Sequence, residues 1–118
     1  MTKHKPEKGW LRALKRVAVG DDLRGLAQLD RIDEEGPYPA LVYVRKSGKE
    51  LRVSSAMIDR VWSATARGCT LRARTNGRTG ISYTVAVEAS VVAALGLVSC
   101  EITNRAGLVL GKGWRRGR

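Results

Sequence analysis

The sequence predicts a small α+β domain, one antiparallel sheet of two to three hairpins with about three helices packed mainly on one of its faces. Two observations carry that expectation. Apolar residues recur at helical spacing near the start, in the middle and after residue 88, and between those stretches they alternate with polar residues. The chain is also 118 residues long, the usual size of a single domain and enough to bury one modest core.

The first element is a basic amphipathic helix over 6–18. Pro6 suits a first turn. Trp10, Leu14 and Val17 repeat on one side, Leu11 and Ala18 widen the stripe, and Lys8, Arg12, Lys15 and Arg16 cover much of the rest. Gly20 is a reasonable stop. Residues 21–32 are ambiguous. Leu23, Leu26, Ala27 and Asp30 fit a short helix, whereas Ala27, Leu29 and their polar neighbours fit a strand. The run Asp33-Glu34-Glu35-Gly36-Pro37-Tyr38-Pro39 reads as a loop.

Ala40 to Ser54 reads as a hairpin about a Ser47-Gly48 turn. A two-residue loop sets Val44 opposite Leu51 and Val42 opposite Val53, with Arg45 facing Glu50 and Tyr43 facing Arg52. Ser54 or Ser55 then caps a helix to about Arg67, closed by Gly68. Met57, Ile58, Val61 and Trp62 form its apolar face, so Trp62 reads as core.

Thr70 to Val87 alternates like a second hairpin. A three-residue loop, Asn76-Gly77-Arg78, gathers Arg72, Arg74, Ser82 and Thr84 on one cationic face with Arg78 at the tip. Ala89 to Leu95 is a short helix stopped by Gly96, and Leu97–Ile102 and Leu108–Leu110 pair as strands around Asn104–Gly107. This organisation gives one domain over 1–111 and a basic flexible tail over 112–118, Gly-Lys-Gly-Trp-Arg-Arg-Gly-Arg from Gly111 onward.

Charge is the informative quantity for function. Lys and Arg number 22 against 11 Asp and Glu, a formal +11. Residues 21–40 carry −4, and residues 61–80 carry four cations and no acid. An excess of this size costs stability by self-repulsion, and an anionic partner is its usual rationale. The expected function is therefore non-enzymatic nucleic-acid binding, with phosphate contacts dominating. Candidate contacts are Arg72, Arg74 and Arg78 on the second hairpin, and Arg45, Lys46, Lys49 and Arg52 on the first. Arg12, Lys15 and Arg16 add the helix, and Lys112, Trp114, Arg115, Arg116 and Arg118 the tail. Trp114 and Tyr43 are aromatics that could stack a base. DNA and RNA are not distinguished.

Other classes are thinner. The alternative is a small subunit of a larger assembly, a viral particle or a ribonucleoprotein, or an inhibitor docking on an acidic protein. A metal-independent ribonuclease is a further alternative, with Arg and Lys on the phosphorane and Tyr83 or Tyr43 moving a proton. The only histidine is His4, and no metal-ligand cluster or phosphate-cradling loop precedes a helix, so no cofactor, metal or catalytic residue is assigned. Gly77-Arg78-Thr79-Gly80 has the GxxG pattern, but strand-like alternation flanks it where that loop requires helices. No apolar run is long enough to span a membrane, and the basic start lacks the apolar core of a secretory signal. The expected location is the reducing cytoplasm, with Cys69 and Cys100 as small buried side chains.

Overall fold

The structure, a computed structural model, describes residues 7–35, 37–66, 70–71 and 85–117. Helix α1 (Lys8–Arg16) leads through a turn into strands β1 (Ala27–Asp33), β2 (Ala40–Arg45) and β3 (Glu50–Ser54). Helix α2 (Ser55–Ala64) follows, then β4 (Thr70–Leu71), helix α3 (Val85–Leu95) and strands β5 (Leu97–Thr103) and β6 (Val109–Arg116). Among the described residues the expected single sheet is instead two antiparallel ones, ordered β1-β2-β3 and β4-β6-β5. The α+β class stands, with three helices among the described residues.

A hydrophobic core joins the three helices to the first sheet, with Leu97 of β5 and Trp114 of β6 at its side. Trp10 and Ala13 from α1 meet Leu29, Leu41, Tyr43 and Val53 from the first sheet, Ile58 and Val61 from α2, and Val91, Ala94 and Leu95 from α3. Among the described residues no helix is long and apolar enough to cross a membrane.

The first sheet shows why 21–32 is ambiguous as sequence. Arg24 and Gly25 both take positive φ, 50° and 76°, the signature of a tight hairpin turn. Leu23 N–H then donates to Ala27 O across it (2.8 Å). β1 pairs Leu29 with Tyr43 but Arg31 with Val42, so Asp30 is an extra, bulged residue. The bulge turns Arg31 to the outer face and brings Ile32, opposite Leu41, to the core side. Strict alternation would have buried Arg31.

The β2–β3 register differs by one residue from the expected pairing. Val44 lies opposite Glu50, Tyr43 opposite Leu51, and Leu41 opposite Val53. The loop is Lys46-Ser47-Gly48, with Arg45 N–H donating to Lys49 O (2.9 Å) and Gly48 at φ 87°. A third loop residue in the left-handed region stabilises this register. Leu41, Tyr43 and Val53 are thereby buried together. Val42 faces outward yet is fully covered, since its neighbours on either side are Arg31 and Arg52.

Two further expectations change. Val85 and Val87, expected in a strand, belong to α3, which starts four residues earlier than the expected Ala89. Gly96, at φ 67°, does terminate it. Residues 112–116, expected as a flexible tail, form the second half of β6, paired with β5 and, at Gly113 and Trp114, with β4. Lys112 lies opposite Glu101 and Trp114 opposite Ser99; strand pairing holds a segment whose composition alone would not fold.

Candidate nucleic-acid interface

The helices are seated by charges borrowed from one another. α1 has no acid in its first turn and no side-chain cap from Glu7. Asp59 of α2 supplies both, as Trp10 N–H donates to its Oδ1 (2.7 Å) and Glu7 N–H to its Oδ2 (3.2 Å). A buried carboxylate at a helix N-terminus satisfies free amides and opposes the helix dipole. Gly9 permits the approach: a Cβ there would lie 2.8 Å from Trp62 Cβ and 3.0 Å from the Asp59 backbone.

The C-termini mirror this. Neither α2 nor α3 has a basic residue in its last turn. Arg12 Nε of α1 donates to Leu95 O, the last carbonyl of α3 (2.8 Å). Arg116 Nη2 of β6 donates to Trp62 O near the end of α2 (2.6 Å), where Thr65 Oγ1 also donates (2.9 Å). Both guanidiniums stack on the Trp62 ring, Arg116 at 3.7 Å and Arg12 at 4.9 Å from its centroid. Arg16 reaches the same end of α3, against Gly96. Burial first, and the charge of Arg12 second, hold the Arg116 guanidinium below its ordinary value. Its Nε is buried and has no hydrogen-bond partner among the described residues. A cleft of ≈ 650 Å³ opens beside this stack, lined by Lys8, Trp62, Ser63 and Arg116 and also by Glu7 and Asp59.

The sequence marks Arg12, Arg16 and Arg116 as separate contacts on a helix and a tail; the fold brings all three together. Elsewhere on the same two elements Lys8, Lys15, Lys112 and Arg115 are exposed. Together α1 and β6 hold seven cations and no acid. Trp114 packs against the core, and its Nε1 is buried without a partner among the described residues. It is a core-packing strand residue rather than an aromatic on a free tail.

The first-hairpin candidates sit in a different electrostatic setting. Arg52 Nη1 is bound to Asp33 Oδ2 (3.0 Å), and Arg31 bridges Glu50 and Asp30 (3.0 and 2.9 Å). Hydrogen bonding to Glu50, then to Asp30, pushes Arg31 above its ordinary value. Arg52, then the Glu35 N–H, holds Asp33 below the usual carboxylate range. Lys46 and Lys49 are exposed, but Arg45 and Lys46 line a cleft that also contains Asp22 and Asp30. Tyr43 is fully buried, and burial pushes its hydroxyl up to about 12, which unsuits it for stacking a base or moving a proton.

Arg72, Arg74, Arg78 and Arg118, with Ser82, Tyr83 and Thr84, lie outside the described residues. Sequence reasoning passes over Asp59, Gly9 and the outer face of Trp62. The signal available is the absence of a first-turn acid in α1 and of a last-turn cation in α2 and α3. Among the described residues no group of three or more His, Cys, Asp or Glu is placed to hold a metal ion. Cys100 is half-buried on β5 and disulfide-bonded rather than a free apolar side chain; Cys69 lies outside the described residues. Compared with family models, curated proteins and solved structures, the chain has no match.

Proposed function

We propose that this protein binds nucleic acid through the surface built from α1 and β6, by contacts to phosphates rather than by chemistry. The observation that carries the reading is the segregation of charge: seven cations without an acid on two elements that converge at Trp62, while acids pair off with Arg31 and Arg52 on the first sheet. Guanidiniums suit phosphate, because each offers a planar fork of donors. Arg12 and Arg116 each spend part of that fork on a carbonyl, which fixes their planes in advance. Lys8, Lys15, Arg16, Lys112 and Arg115 stay exposed for a backbone that passes over the stack.

Binding to labelled single-stranded RNA, single-stranded DNA and duplex DNA at low and physiological salt tests this, with a gel check for shortened strands. The wild type should bind with steep salt dependence and leave the strands intact. Replacing Lys15, Lys112 and Arg115 by Ala should flatten the slope of log K against log salt by about 0.7–0.9 for each phosphate no longer neutralised, with an unchanged melting temperature. An unaltered slope would remove this surface from the reading, and cleavage would replace binding with catalysis.

The cytoplasm is the compartment proposed with this function, and it has its own test. A disulfide at Cys100 persists in oxidising compartments and is reduced in a cytosol. Thiol titration of protein taken directly from cells should find free thiols if the cytoplasmic reading holds.

A further inference from the structure

The ribbon of β5 and β6 contributes nothing to the core between Leu97 and Gly113; every residue from Val98 to Lys112 is exposed or half-buried. Its far end is nevertheless tightly built. Asn104 Oδ1 accepts from Ala106 N–H (2.9 Å) and Leu108 N–H (3.0 Å). Asn104 N–H donates to Leu108 O (3.0 Å), and Gly107 takes φ 83°. This ordered turn presents three consecutive aliphatic side chains to solvent, Leu108 at 65%, Val109 at 56% and Leu110 at 64% exposure. The pairing steps from Thr103–Val109 to Ile102–Gly111, so Leu110 is an unpaired bulge residue. A bulge commonly re-aims a side chain out of the pleat. Three exposed aliphatics on a rigid turn are costly without a partner.

Charge indicates which partner. The ribbon from Leu97 to Gly117 carries Arg105, Lys112, Arg115 and Arg116 against Glu101 alone. A second copy meeting it ribbon to ribbon would bring like charges together, whereas a polyanion would not. Two-stranded ribbons and strands enter either the major or the minor groove of B-form DNA. Aliphatic side chains inserted at a base step unstack and kink a duplex, with flanking cations on the phosphates. A-form RNA lacks such an entry, because its major groove is deep and narrow and its minor groove wide and shallow.

Resting on the nucleic-acid reading above, we infer that the β5–β6 ribbon is a duplex-DNA arm, with Leu108 and Leu110 wedging at a base step and Arg105 and Lys112 flanking them on phosphates. This narrows the ligand to B-form duplex and adds bending to binding.

The test compares the wild type with a Leu108→Ser, Leu110→Ser double variant. Both positions are exposed, so the fold should be retained, checked by melting temperature. Donor and acceptor dyes on the ends of a short DNA duplex read bending, and titrations on duplex DNA, duplex RNA and single-stranded DNA read affinity. The wild type should bend the duplex and prefer it. The variant should lose the bend and about tenfold or more in duplex affinity, with single-strand affinity and salt slope unchanged. Equal bending by both proteins, or duplex binding without any bend, would overturn the arm and leave phosphate binding through α1 and β6 standing. Failure to bind any nucleic acid would overturn both. Retention on phosphatidylserine vesicles, or a concentration-dependent size, that the variant abolishes while duplex binding is unaffected would overturn the arm in favour of a membrane surface or a second copy.

Discussion

The first sheet and the α1–β6 surface use the same residue types to opposite ends. Residues 27–54 hold five cations and five acids, and the outer face of the sheet pairs them: Arg31 with Glu50 and Asp30, Arg52 with Asp33. α1 and β6 hold seven cations and no acid; of these, Arg12 and Arg116 are tied down by backbone carbonyls and an indole ring rather than by carboxylates. Among the described residues the positive charge is therefore not spread evenly. One region neutralises itself, and the other keeps its charge while fixing part of it in place. A carbonyl orients a guanidinium without cancelling it, so an arginine held this way remains available to an anion.

The contrast can be broken at the seat of α1. Asp59→Ala should remove the carboxylate that receives Trp10 and Glu7 N–H, lowering stability by about 1–3 kcal/mol in a urea titration. It should also weaken nucleic-acid binding, since four cations ride on that helix; full affinity would mean α1 does not contribute. Arg116→Ala should follow, at about 2 kcal/mol for the stack and charged hydrogen bond it removes, with a matching change in Trp62 fluorescence. The smallest effect belongs to the first sheet. Arg31→Ala with Glu50→Ala should shift neither the melting temperature nor the salt slope of binding measurably, as expected of exposed ion pairs. A loss of binding in that variant would place the interface on the wrong sheet.

How much of this is legible in the sequence depends on whether a signal is local. Ser54 is a helix cap by residue type and position, and its Oγ does accept from Met57 N–H (3.2 Å). Gly96 reads as a helix stop and is one. The β1 strand is hidden because a single bulged residue, Asp30, inverts the alternation halfway along. The first hairpin is visible, but Ser47-Gly48 invites a two-residue loop, where the fold spends a third residue to reach the register that buries Tyr43. The end of the chain, 111–118, reads as unstructured because its three glycines and four cations have no reason to fold alone; for 112–116 the reason is β5 and β4 alongside. Of the candidate site, the cations themselves are visible in the sequence. Their meeting at Trp62 is not, because it depends on elements far apart in the chain.

The borrowed helix ends have a consequence for how the molecule comes together. Asp59 and Trp10 are 49 residues apart, Arg116 and Trp62 are 54 apart, and Arg12 and Leu95 are 83 apart. Helices ordinarily supply the short-range, early-forming contacts of an α+β chain, and strands the slow, distant ones. Here each helix leaves at least one terminus unfinished until a remote segment arrives, so helix completion carries loop-closure costs usually associated with sheets. A peptide of α1, α2 or α3 alone should show little helix, and the ordering of all three should coincide with closure of the chain around Trp62.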